Sequence, residues 1–320
     1  MAGRQRITVQ LVDGVADCQI WSERYDRDLI DSFTVHDEIC ESVVVMVECQ
    51  LFLAEHLRVQ HKSPVSLSGW ECVVRALSLM NSRKERNVVA AQGLLQKAVS
   101  VDPGSAQNLS LLSIATTLRV HMGWTNRQKL IASALACARK ALSLNPDEQW
   151  AHAALGYALI WQQPEQAIVP CQRAIALNPN FAIGHYFLAL ASAYAGHHHY
   201  VFPHASMAER LAKRDLLARG YGGAHNNVRS TGAFAVEHYH EGVEFGRNAI
   251  ADNPNSPTGY RALVINLALG GQTDEAKRAL RTLRRLAPDM SQNWVRQNAV
   301  WASDGTMKRY IEAFRIANLE

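Results

Sequence analysis

The densest source of metal-ligating nitrogen in this 320-residue chain is His197-His198-His199, with His204 close behind. Neutral imidazole suits zinc or nickel, but consecutive residues do not share a helix face, and no cysteine or carboxylate completes a set. The run is read as an exposed turn. His238-Tyr239-His240-Glu241 lacks the i, i+4 histidine spacing that would put two ligands on one helical face, and is read as a turn between helices. Asp26, Asp28 and Asp31 are acidic and close, as carboxylates that hold metal ions against nucleotide phosphates must be. With no phosphate-binding partner nearby, they are read as a solvated acidic connection. No phosphate loop occurs, and Gly220-Tyr221-Gly222-Gly223 is read as an inter-repeat loop. Cys18, Cys40, Cys49, Cys72, Cys137 and Cys171 lie far apart with no Cys-x-x-Cys pair, and are read as buried free thiols. No catalytic residue, metal or cofactor is therefore expected.

The elements that would have to position any site come next. The chain is 48% hydrophobic and 19% charged, which argues against disorder. A net charge of +4 is weak evidence for nucleic acid. The basic run Lys277, Arg278, Arg281, Arg284 and Arg285 has helical spacing but no interleaved aromatics, so it reads as a solvated face. The Val43–Val47 stretch is far short of the roughly 18 residues of a membrane span. The acidic first 30 residues do not make a signal peptide. A cytoplasmic location without membrane or nucleic-acid partners is expected.

A recurring tail organises most of the chain: Lys97–Pro103, Lys140–Pro146, Arg173–Pro179, Asn248–Pro254 and, more loosely, Arg284–Pro288. The prolines are spaced 43, 33, 75 and 34 residues apart, which implies about six units, one of them degenerate. Within each tail helix, small residues sit seven apart: Ala91 and Ala98, Ala134 and Ala141, Ala167 and Ala174, Gly242 and Ala249, with Ala276 and Leu283 as the loosest pair. Two turns apart on one face, they let a neighbouring helix approach closely. An amphipathic stretch precedes these helices at Ala106–Leu118, Gln149–Trp161, Ala182–Ala195, Gly223–Glu237 and Pro257–Leu269. Each unit is thus a helical hairpin that must stack on its neighbours to bury its apolar face.

These units resemble the tetratricopeptide repeat. The clearest copy is Pro257–Pro288, through Tyr260, Leu263, Leu267, Gly270-Gly271, Ala276, Leu280 and Pro288. The copy at Gln149–Pro179 has His152 where the family prefers tryptophan. A half repeat with Trp294 and Trp301 on one helix, then a capping helix around Tyr310, Ile311 and Phe314, is expected to close the array. The resemblance implies an all-α superhelical solenoid over residues 65–320.

The first sixty residues differ. Ile7–Leu11 alternates with period two, Asp13-Gly14 signals a turn, and Cys18–Tyr25 is a second extended run. Thr34 and the stripe Val35, Ile39, Val43, Met46 and Val47 predict a helix to about Leu57. A small hairpin plus helix over residues 1–60 follows, packed on itself or, as the alternative, forming a homodimer through open strand edges. The strings Gln10–Asp13, Ile20–Leu29 and Val35–Ile39 resemble the end of a TolB-like domain in bacterial multidomain regulators. In that family a class III adenylate cyclase or winged-helix DNA-binding domain lies upstream, and Met1 falls inside the α/β domain, so the earlier modules are expected to be absent.

The resemblance implies that the first helices line a concave groove. Trp150, Tyr157 and Trp161 would then lie beside Tyr186 and Tyr194, with Arg261 as a further groove candidate. Such side chains pair apolar area with polar tips, the composition of an anchor site for a protein or peptide segment. The competing reading makes the aromatics repeat-to-repeat core. The resulting expectation is a non-enzymatic interaction scaffold in bacterial signalling or transcription. Its rivals are the regulatory part of a cyclic-AMP-producing enzyme and a DNA-binding regulator without its winged helix.

Overall fold

A computed structural model describes residues 4–14, 17–28, 67–212 and 224–319, together with residues 43, 54, 57, 58 and 62. Strands β1 (Arg4–Asp13) and β2 (Cys18–Asp28) form a two-stranded antiparallel hairpin. Ile7, Val9 and Leu11 alternate, half-buried, with exposed polar residues, as one covered face requires. Almost all of the helix expected over Val35–Leu57 lies outside the described residues, as do Asp31, Cys40, Cys49 and Gly220–Gly223. Two expectations need correcting here. Asp26 and Asp28 belong to β2 rather than to a connection, because Asp26 faces Arg6 across the hairpin and is bonded to its Nε at 2.8 Å. Cys18 is exposed, since it opens β2 opposite Asp13 at the hairpin's end; Cys72 and Cys171 are buried and Cys137 is half-buried.

Six helical hairpins follow in order. They are α1 (Gly69–Asn81) with α2 (Glu85–Val101), α3 (Ala106–Met122) with α4 (Arg127–Leu144), and α5 (Gln149–Ile160) with α6 (Ile168–Leu177). Next come α7 (Ala182–Ala195) with α8 (Val201–Ala212), α9 (Ala224–Ala235) with α10 (Tyr239–Asp252), and α11 (Pro257–Leu269) with α12 (Thr273–Leu286). Two further helices close the chain, α13 (Gln292–Asn298) and α14 (Asp304–Ile316). The fold is an all-α solenoid of the tetratricopeptide type with a small hairpin ahead of it.

Local chemistry sets the helix ends. Several first helices open on a side chain that accepts from a first-turn amide: Ser68 from Glu71, Ser105 from Asn108, Glu148 from Trp150 and Ser256 from Gly259. The second helices of four pairs stop at an Asp or Asn one residue before the proline. There Asp102, Asn145, Asn178 and Asn253 each accept from the amide two residues on. The proline holds its predecessor extended and the carboxamide or carboxylate closes the turn. One Asx-Pro pair thus both ends a helix and aims the next.

The small residues of the repeat are wholly buried: Ala91, Ala98, Ala134, Ala141, Ala167, Ala174 and Ala276 have no exposed surface. A β-carbon on Gly242 would collide with the Asn266 carboxamide, and one on Gly156 with the Cys171 sulfur. These positions hold adjacent helices at closest approach. The first helices from α3 onward are buried over most of their surface, α3 and α7 at nearly every residue, whereas α1 and the second helices bury a stripe. The first helices are therefore the inner layer of the coil.

The end of the array departs from expectation. Trp294 and Trp301 do not share a helix, because α13 stops at Asn298 and Ala299 turns extended at ψ 144°. The Asn298 carboxamide explains the stop. Its nitrogen donates to the Trp294 carbonyl at 2.9 Å and its oxygen accepts from the Arg127 amide at 2.9 Å, so it is bonded to α4 rather than facing a next turn. Residues 299–303 then run along the end of α7, where the Ala302 amide donates to the Tyr194 carbonyl at 3.0 Å. Helix α14 packs on α11, and Arg309 on it donates to the Ala235 carbonyl at the end of α9.

Candidate partner-binding surface

The inner face is built from the first helices, and the six residues singled out by sequence all lie on it, buried. Trp150 is 7% exposed, Tyr157 1%, Trp161 4%, Tyr186 2%, Tyr194 9% and Arg261 7%. They do not form one open wall. Tyr157 stacks on Phe187 with ring centroids 4.1 Å apart and donates to or accepts from His121 Nδ1 at 2.8 Å. Trp161 lies 5.1 Å from His121 and 5.4 Å from Tyr194. Tyr194 in turn packs on Trp301 at 4.6 Å, and Trp301 on Phe234 and Tyr310. Tyr186 touches Phe187 and the edge of His225. Trp150 stands apart, edge-on to Phe181 at 4.7 Å.

The C-terminal segment covers one side of this face. Trp294 lies beside Gly123 and Arg261, Trp301 fills the space between Tyr194 and Phe234, and Asn298 caps α4. Arg127 fixes the arrangement through two more bonds, Nε to the Gln297 carbonyl and Nη1 to the Trp161 carbonyl, both 2.9 Å. Arg261 on α11 reaches back to α3, its Nη2 donating to the His121 carbonyl at 2.6 Å. The coil thus closes on itself, with the last repeat meeting the second.

Beside these contacts the first helices leave a small recess. It is lined by Leu77 and Met80 of α1, Ile114 and Leu118 of α3, Trp150 of α5 and Ile183 of α7, with Arg83 at its edge. Its lining carries an arginine and no carboxylate. Burial shapes the ionisation of the interior. His121 is held well below the ordinary histidine range by loss of solvation, reinforced by the positive charges of Arg261 and Arg83. Burial also lowers His225, to about 4, and raises the Tyr194 phenol.

The other candidates fall elsewhere. His198–Tyr200 is a single 3-10 turn, with His197 and His199 exposed. His204 is not part of it: it belongs to α8, and its Nδ1 meets His185 Nδ1 at 2.8 Å. His240 and Glu241 form the first turn of α10 rather than a connection, since the preceding turn ends at His238. Arg278, Arg281, Arg284 and Arg285 are exposed along α12. Among the described residues no group of three His, Cys, Asp or Glu side chains could hold a metal ion. No helix among the described residues is long and apolar enough to cross a membrane. Sequence reasoning missed His121, Arg127 and Asn298. Nothing in the repeat periodicity marks them, because their partners lie outside their own unit.

Comparisons with known proteins agree with the fold. No family model matches the chain. Over 163 residues it is 29% identical to a Rhizobium meliloti (strain 1021) protein named "Putative adenylate cyclase 3", a match that takes in 51% of this chain. The chain spans 28% of that relative's length. Among solved structures it is similar to the human IFIT1 dimer with m7Gppp-AAAA, at a TM-score of 0.55 and 14% identity over 78% of this chain and 59% of that one. A tetratricopeptide repeat protein from Parabacteroides merdae ATCC 43184 matches at a TM-score of 0.42 and 14% identity, covering 78% of this chain and 91% of that chain.

Proposed function

We propose that this chain is a protein-interaction scaffold that captures an apolar partner segment, in a signalling pathway linked to cyclic-nucleotide synthesis. The observation that carries the reading is the apolar recess between α1, α3, α5 and α7. Apolar anchors of the partner seat against Leu77, Met80 and Trp150. Tyr157, Trp161, Tyr186, Tyr194 and Arg261 lie outside this recess and serve as core between repeats. A preformed surface spares the ordering cost of binding.

The link to cyclic-nucleotide signalling is supported by the resemblance to the Rhizobium meliloti protein. That match also favours a second reading, in which the chain is the regulatory part of a cyclase-related protein. A displayed peptide library selected on the purified chain tests the scaffold reading, with each recovered peptide then measured by fluorescence anisotropy. Leu77 is half-buried and lines the recess. Leu77→Asp is expected to weaken the selected peptides at least about tenfold, the cost of one lost anchor, with an unchanged unfolding midpoint. Peptides that bind both proteins equally would put the interface elsewhere, and conversion of ATP to cyclic AMP by the purified chain would end the scaffold reading.

A further inference from the structure

We infer that the interior cavity between α3, α7, α9, α11 and α14 binds a small monovalent anion of halide size. The cavity is separate from the recess above: their linings share no residue. The inference therefore goes beyond partner docking and does not depend on it.

Charge is the first argument. Arg261 lines the cavity and is 7% exposed. Its single hydrogen bond among the described residues is the one to the His121 carbonyl, and no carboxylate lies in the lining. A buried guanidinium is costly unless paired. The carbonyl end of α3 supplies roughly half a negative charge at best, so about half of the cation's charge is left uncompensated. His121 cannot help, since burial and the neighbouring cation keep it neutral.

Hydrogen-bond inventory is the second. Trp301 also lines the cavity, and its indole nitrogen is buried without a partner. An indole N–H only donates. The lining also holds the phenols of Tyr194 and Tyr310, whose pKa values burial raises so that each keeps its proton to donate, and the carboxamide of Asn227, whose oxygen is buried without a partner. The cation and the unpartnered indole N–H suit an acceptor that carries negative charge, with the Asn227 carboxamide turned to present its NH2 group. Water would fill the space without supplying the charge.

Size decides the kind of anion. The cavity has room for about one water-sized occupant, which admits chloride or bromide and excludes phosphate or an organic carboxylate. An anion there joins α11 to α14 and to the inner ends of α3 and α7, and so locks the coil shut.

Thermal unfolding of the full chain in chloride against gluconate at fixed ionic strength tests this. The midpoint is expected to rise by about 3 °C for each tenfold increase in chloride above its dissociation constant, and to be flat in gluconate. Arg261→Met should abolish the chloride response. Should that variant fail to fold, Trp301→Phe keeps the ring, deletes the N–H and should weaken apparent chloride affinity by about tenfold or more. Crystals grown in bromide should show anomalous scattering between Arg261 and Trp301. Equal midpoints in the two salts, an undiminished chloride response in the variants, or a cavity without bromide would each overturn the inference.

Discussion

The carboxamide of Asn298 accepts a hydrogen bond from the backbone amide of Arg127 at 2.9 Å, across 171 residues of sequence. Arg127 is the first residue of α4, so its amide is one of the donors that a helix start leaves unpaired. The chain's own α4 cap, Asn126, satisfies the Gln128 amide. The C-terminal segment therefore supplies a second cap to a helix four repeats away, and a helix terminus becomes the socket that holds it.

Asn298→Ala should expose that socket. Loss of a capping acceptor costs about 0.5–2 kcal/mol, and Asn298 also bonds the Trp294 carbonyl. Urea unfolding should show a decrease of about 1–2 kcal/mol, and limited proteolysis should cut more readily between residues 290 and 303. An unchanged cleavage pattern would mean that the segment is held by its tryptophans alone.

Trp161→Ala and Tyr194→Ala separate a packing role from a binding one. Both rings are nearly inaccessible and lie in one run from His121 to Trp301. Truncating a large buried aromatic costs about 3–5 kcal/mol, so each variant should melt well below the parent chain. Peptide affinity measured on the fraction still folded should change little, because neither residue lines the open recess.

Close helix approach makes a different prediction at Gly156. Alanine is the better helix former by up to about 1 kcal/mol, yet a β-carbon there would strike the Cys171 sulfur and approach the Ala167 carbonyl at 3.2 Å. Overpacking of this kind costs about 1–3 kcal/mol, so Gly156→Ala should destabilise the chain. Pairing it with Cys171→Ala should recover part of the loss, and a double variant no better than the single one would place the clash elsewhere.

The hairpin array was readable in the sequence because it is local. Small residues seven apart and an Asx-Pro stop recur in four of the units, and each requires only that a helix meet its neighbour. The closure of the coil was not readable. Arg261 to His121, Arg127 to Asn298 and Tyr194 to Trp301 join positions far apart in the chain, and no periodicity relates them. The aromatic residues of the first helices are buried, a position that helical spacing alone does not distinguish from a groove. Their covering by the C-terminal segment depended on α13 stopping at Asn298, a consequence of contacts made outside the helix.

Buried histidines set the acid sensitivity of the fold. Burial lowers the pKa values of His121, His185, His204 and His225. For His225 the fall is to about 4, mainly through lost solvation; Arg229 and Arg83 add to it, while Glu209 and Asp252 oppose it. A histidine whose folded pKa lies below its unfolded value binds fewer protons when folded. Its contribution is intact above about pH 6.5, the unfolded value. It is lost as the pH falls toward the folded pKa, at up to about 1.4 kcal/mol per pH unit for each such group. Glu71 and Asp26 do not act in this window, since both are lowered by their hydrogen-bonded cations and lose their charge only in stronger acid. The urea midpoint should therefore be level from pH 8 to 7 and fall steadily from pH 6.5 to 5. His225→Gln should show a shallower fall, because the unfolded chain then has one fewer site to protonate. A midpoint that stayed constant down to pH 5 would show that the histidine sites open to solvent far more easily than their packing indicates.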